Sequence, residues 1–151
     1  NFSAKVADME RLPFKKQSFD IVCSAGSLSY GDNELVMNEI FRVLKKGGTV
    51  IFVDSLNHNI IYKFNRYINY LKGKRSKSTL KRMPDLILIE KYFKKFGYGR
   101  VKFFGSITWF FPLLKLFLTN KKIYQFSNWL DKKLKIKKSA FKFVLILKKK
   151  N

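Results

Sequence analysis

Three short groups of residues have the types and spacing to hold a ligand or move a proton. The stretch "ADMERLPFKKQSFDIVCSAGSLSYGD" (7–32) carries the first two: Asp8-Met9, then the small-residue run Ser24-Ala25-Gly26-Ser27, with Tyr30 just beyond. The third is Asp54-Ser55 leading into Asn57, His58 and Asn59. An acid at the end of one strand can accept a hydrogen bond from an exocyclic amine. Small residues at the next strand end let backbone approach a flat ligand closely. Asn57 and Asn59 can reach a second substrate. His58, the only histidine, is a candidate general base, because imidazole titrates nearest neutral pH. Ordinary solvated-loop polarity is the competing reading for all three groups.

The elements that must position these residues can be read from periodicity. "AKVAD" (4–8) reads as a short strand and "ERLPFKKQS" as a loop, since Pro13 disfavours helix at Leu12. "FDIVCS" has the continuous apolar character of a buried parallel strand. In "GDNELVMNEIFRVLKKGG", Val36, Met37, Ile40, Phe41 and Leu44 recur at helical spacing. Asp32 or Asn33 suits the cap, and Gly47-Gly48 the C-terminal stop. "TVIFVDS" follows as a β-branched strand, and strand, helix, strand at this spacing is a βαβ unit. A helix ending near Gly73, a helix from Pro84 to Gly97, a strand "GRVKFFGS", one or two amphipathic helices over 107–139 and a last strand "AFKFVLILKK" complete the pattern. In open parallel sheets, ligands bind at the carboxyl ends of the strands, where all three polar groups fall.

The formal charge is +22, carried by 32 lysines and arginines against 10 acids. Such an excess attracts phosphates, on nucleic acid or on an anionic membrane. Arginine supplies only positions 11, 42, 66, 75, 82 and 100, and lysine is the weaker residue for bidentate phosphate or base recognition. A biased coding composition therefore competes with an anionic partner, and nucleic acid is the less favoured one. The lone Cys23 excludes an internal disulfide and any multi-cysteine metal site, and its mid-strand place suggests a buried thiol. No metal site is expected. No apolar run reaches the roughly 18 to 20 residues that span a bilayer, and "ITWFFPLLKLFL" is broken by Pro112 and Lys115. Cytoplasmic localisation is expected, with peripheral contact to the inner membrane face as an extension.

The order of A-D-x-x-x-L-P-F, S-F-D-x-V and R-V-L-K-x-G-G before an apolar strand resembles the class I S-adenosylmethionine-dependent methyltransferases, type 11 domain, over residues 4 to 55. The resemblance implies an α/β, Rossmann-like fold, partial from the third strand onward, with a mostly parallel sheet, an antiparallel last strand and helical insertions. It implies S-adenosylmethionine as cofactor and a small-molecule methyl acceptor. Asp8 matches the acid that holds the adenine amino group, and Met9 the neighbour packing on the ring. Ser24, Ala25 and Gly26 match the turn beside the methionine portion. Asp20 matches a structural acid, and Arg42, Gly47 and Gly48 match fold markers. Where the family often has Leu-x-His, this chain has Leu28-Ser29-Tyr30, so Tyr30 joins His58 as a candidate catalytic residue, with Asn57 and Asn59 as candidate acceptor contacts.

The family's glycine-rich loop and ribose-binding acid have no counterpart after Asn1. Residues 1–151 are therefore expected to be one partial domain, holding the adenine-side half of a pocket and inactive alone. Within it, 1–55 is cofactor-side core, 56–83 and 107–139 are substrate-cover insertions, and 84–106 and 140–149 complete the core. The aromatic and basic insertions suit an anionic or lipid-linked acceptor. A vaguer likeness over 54–84 points to sugar or surface-polysaccharide precursors. An RNA-modifying methyltransferase, or a non-catalytic membrane-surface or nucleic-acid-binding module on a degenerate fold, are the alternatives.

Overall fold

The computed structural model describes residues 3–134 and 137–150. The apolar run at 19–25 forms β1 (Phe19–Ala25), and the periodic segment after it forms α1 (Asn33–Val43). β2 (Leu44–Ser55) returns parallel to β1, with Ile21 opposite Thr49 and Ala25 opposite Val53. Then come α2 (Ile60–Leu71), the short α3 (Lys77–Lys81), α4 (Leu86–Phe96) and β3 (Gly97–Phe104). A 3-10 turn at Thr108–Phe110, α5 (Phe111–Leu114) and α6 (Asn120–Leu134) precede β4 (Lys142–Lys149).

The sheet order is β1-β2-β4-β3. β4 lies between β2 and β3 and runs antiparallel to both. β1, β2 and β3 therefore point one way and β4 alone opposes them, which is the expected mostly parallel sheet with an antiparallel last strand.

Period-two alternation divides the sheet into two unlike faces. Val50, Phe52, Phe143, Leu145 and Leu147 are buried against Val36, Ile40, Ile89, Tyr92 and Phe96 of α1 and α4. Phe52 meets Tyr92 with ring centroids 4.7 Å apart, and Phe41 meets Phe96 at 5.2 Å. On the other face, Ile21 is 61% exposed and Cys23 and Val53 are also exposed. Cys23 is thus not the buried thiol that its apolar neighbours suggest. It shares a face with Ile21 and Ala25, which no described helix covers.

Two further expectations are corrected. Residues 4–7 join no strand ladder, Val6 is exposed, and Asp8 bridges only to Arg11. An extended segment makes no hydrogen bonds of its own and is a strand only beside a partner, and among the described residues β1 pairs with β2 alone. Helix α1 stops at Val43 rather than at Gly47-Gly48. The ladder with β1 jumps from Leu44 to Thr49, and Gly47, at φ 69°, turns the intervening excursion. The helix end is satisfied from afar: the Lys149 ammonium donates to the carbonyls of Phe41 at 2.6 Å and Leu44 at 2.7 Å.

Candidate functional site

Asp8 sits on an exposed reverse turn before β1. Its carboxylate accepts the Glu10 amide at 2.9 Å while its carbonyl accepts the Arg11 amide at 3.1 Å. The turn's own hydrogen bonds therefore aim the acid, as aspartate does where its side chain closes an Asx turn. The loop beyond is stitched to α1. Glu39 accepts the Leu12 amide at 2.8 Å, and Arg42 donates to the carbonyls of Leu12 and Phe14 and to Glu39 itself. The Arg42 hydrogen bond holds the Glu39 carboxyl below the usual carboxylate range, against the opposing effect of burial. This accounts physically for the "LPF" loop and for Arg42 as a fold marker rather than a ligand.

The turn after β1 is pinned on both sides. The Gly26 amide donates to the Val53 carbonyl at 2.8 Å, and the Ser24 and Ser27 hydroxyls are 2.5 Å apart. Gly26 has φ +66°, and nothing lies within 4 Å of where a β-carbon would stand. Its left-handed backbone and open flank leave room for a ligand to lie against the main chain. Gly31 is glycine for the opposite reason, since a β-carbon there would be 2.7 Å from Val36 and 3.0 Å from the Met9 sulfur. Met9 thus packs where Gly31 leaves space. Glu10 accepts the Asp32 amide at 2.6 Å, so the 8–12 loop and the 24–32 turn form one unit.

The third strand end closes the arrangement differently from the expectation. Asp54 is buried, and its carboxylate accepts the amides of Leu28 at 3.0 Å and Ser55 at 2.7 Å. It braces the second group rather than facing a substrate. Asn57 accepts from Arg66 at 3.0 Å. Asn59 caps α2 by accepting the Ile61 amide at 2.8 Å and donates to Ser139 at 3.2 Å. His58 is half-buried and forms no hydrogen bond with the described residues, whereas Tyr30 is 68% exposed. The Glu10–Asp32 bond and the Met9–Gly31 contact tie the loop that carries Asp8 and Met9 to the turn that follows Ser24, Ala25 and Gly26, making one ledge, and His58 lies just beyond the end of β2.

Sequence reasoning missed Arg66. It is 6% exposed, donates to Leu56 and Asn57 at 3.0 Å each, and has a second guanidinium nitrogen, Nη2, with no hydrogen-bond partner among the described residues. Burial is the main force lowering its pKa, to about 10. The Tyr92 hydroxyl is likewise buried without a partner, and burial raises its pKa. Neither carries a local sequence signal, because an arginine in a helix reads as solvated and a tyrosine on an apolar stripe reads as core. The two insertions meet where the Tyr62 hydroxyl pairs with Thr108 and donates to the Gly105 carbonyl at 3.3 Å.

Comparison with known proteins bears on the fold. Residues 2–52 match the family described as "Methyltransferase domain". Demethylmenaquinone methyltransferase of Lactococcus lactis is 33% identical over 114 residues, 61% of this chain and 43% of the relative. The chain thus spans less than half of that relative's length. Among solved structures, geranyl diphosphate C-methyltransferase of Streptomyces coelicolor superposes with a TM-score of 0.60 at 14% identity, covering 96% of this chain and 52% of that one. Phosphoethanolamine N-methyltransferase 2 of Haemonchus contortus gives 0.58 at 20% identity, covering 97% and 37%. Residues 2–52 thus match the methyltransferase domain family, and the described residues have the fold of the class I methyltransferases on which they superpose.

Proposed function

We propose that the protein contributes the adenine-side half of an S-adenosylmethionine site and acts in methyl transfer to a small-molecule acceptor. The observation that carries this reading is the ledge itself. An exposed acid on a self-closed turn, Met9 packed against Gly31, and the open, left-handed Gly26 belong to one loop-and-turn unit that the Glu10–Asp32 bond ties together. Those features suit the flat base and narrow chain of that cofactor. Bound there, the cofactor would supply an electrophilic methyl group. Asp8 would accept the adenine amino hydrogen, Met9 would pack on the ring, and Ser24 to Gly26 would line the methionine side.

The residues of this chain then have to align the acceptor, exclude water and remove a proton where the acceptor is a hydroxyl or amine. An imidazole nitrogen of His58 would accept that proton, with Tyr30 as the second candidate. The free Nη2 of Arg66 beside Asn57 supports an anionic acceptor, such as a sugar-phosphate or nucleotide-linked polysaccharide precursor. Equilibrium binding of labelled S-adenosylmethionine to the wild type and to Asp8→Ala tests the cofactor assignment. A loss of at least tenfold is expected, and equal binding by the two proteins would remove the adenine role of Asp8.

A further inference from the structure

Between β3 and β4 the chain leaves the sheet, and residues 107–134 carry a concentration of apolar side chains that the core does not cover. Leu116 is 72% and Phe117 80% exposed, at a turn between α5 and α6, with Leu113 and Leu118 beside them. Helix α6 packs inward through Ile123 and Ser127. A different stripe of the same helix, spaced four, three and four residues apart, reads Lys122, Phe126, Trp129, Lys133, and all four are exposed. The Phe126 and Trp129 rings stack with centroids 6.0 Å apart, and the Lys133 ammonium lies 4.9 Å over Trp129. The stripe is an aromatic row closed at each end by a lysine.

The charge is as one-sided as the apolar exposure. Residues 107–138 contain eight lysines and one acid, Asp131. That carboxylate is turned inward, accepting the amides of Gly105 at 2.6 Å and Ser106 at 3.0 Å. We propose that this face seats the protein on an anionic lipid bilayer, with the Leu116-Phe117 turn and the Phe126-Trp129 row entering the headgroup region and the lysines meeting lipid phosphates.

Three observations favour lipid over other occupants. The chain has no arginine after Arg100, whereas nucleic-acid surfaces favour arginine for bidentate phosphate contact. An exposed Leu-Phe turn gains nothing from a phosphate backbone and gains from hydrocarbon. A second copy would have to set this strongly positive face against its own kind. No described helix is long and apolar enough to cross a membrane, so the association is interfacial: apolar burial plus attraction to anionic lipid. The inference does not depend on the methyltransferase reading.

The test is co-sedimentation of the intact protein with vesicles of phosphatidylcholine alone or mixed with phosphatidylglycerol. Tryptophan emission is read alongside, because both tryptophans, Trp109 and Trp129, lie in this segment. Expected are binding to the anionic vesicles only, weakening with salt, and a blue-shifted emission. The pair Leu116→Asp and Phe117→Asp should bind at least tenfold more weakly with an unchanged circular dichroism spectrum. Lys122→Gln with Lys133→Gln reads the electrostatic part without touching the apolar one and should bind several-fold more weakly. Equal binding to both vesicle types, unaltered binding by both variants, or a vesicle-free dimer that Phe117→Asp dissolves would each overturn the proposal.

Discussion

The Asp54 carboxylate at the end of β2 accepts the Leu28 amide across 3.0 Å, joining that strand end to the turn that follows β1. Leu28 and Asp54 are both buried, so the amide has no water to turn to if the acceptor is removed. Asp54→Ala should destabilise the protein by about 1 to 3 kcal/mol, the usual cost of an unsatisfied buried group. Asp54→Asn, which keeps one carbonyl oxygen, should cost less. Urea denaturation followed by circular dichroism measures both. Because this bond holds the Ser24–Ser27 turn in place, the alanine variant should also bind S-adenosylmethionine more weakly.

The two glycines that flank this turn make a paired test. Gly26 has space around it but a left-handed φ of +66°, so Gly26→Ala should cost about 1 to 2 kcal/mol through the backbone alone. Gly31→Ala should cost about 1 to 3 kcal/mol through packing, because the new methyl meets Val36 and displaces Met9. Adding Met9→Ala should recover part of the Gly31→Ala loss and none of the Gly26→Ala loss. Thermal unfolding of the single and double variants separates the two mechanisms.

Acid sensitivity should be traceable to Glu39. Its folded pKa is depressed below 4.5, first by the hydrogen bond from Arg42. A depressed carboxyl contributes stability that is fully present above its unfolded pKa and is lost as pH falls through the folded value. Wild-type stability should therefore fall on acidification below about pH 4.5. Glu39→Gln should show a lower plateau at neutral pH and a flatter acid limb. Urea midpoints at pH 7, 5 and 3 would show whether the curves converge at the acid end.

Lys149 gives a prediction about the end of α1. Its ammonium is buried and donates to the carbonyls of Phe41 and Leu44, which a helix terminus leaves without intrahelical partners. Lys149→Met keeps the apolar stem and removes the donor, and should cost about 1 to 3 kcal/mol. Lys149→Gln, still a donor, should fall between. Chemical denaturation ranks the three.

Those four sites show what a linear reading can and cannot see. Helix α1, the parallel β1 and β2 pair and the antiparallel last strand were legible because each is written in local periodicity. Asp8 and Gly26 were readable as candidates because one stands in the loop before β1 and the other in the turn after it. The role of Asp54 was not, since its partner Leu28 is reached only when two strand ends come together. Lys149 lies 105 residues from Leu44, so nothing local marks it as a cap. Residues 4–7 misled because alternation reports a chain able to pair, not the presence of a partner. Cys23 misled because the apolar run around it does not say which sheet face is covered.

His58 makes the last prediction, and it separates chemistry from architecture. The residue is half-buried and no hydrogen bond ties it to the described residues, so His58→Ala should leave stability within about 0.5 kcal/mol of wild type. If its imidazole takes the acceptor's proton, the substitution made in a chain that carries both halves of the cofactor site should slow transfer of labelled methyl from S-adenosylmethionine to nucleotide-linked sugars by roughly 10²- to 10⁴-fold. Cofactor binding should stay unchanged, because the Asp8 turn precedes β1 and the Gly26 turn follows it, whereas His58 follows β2. Tyr30→Phe under the same assay tests the rival base, and only loss of the residue that moves the proton should slow the transfer. A His58→Ala enzyme with undiminished turnover would pass the proton-accepting role to Tyr30 or to solvent.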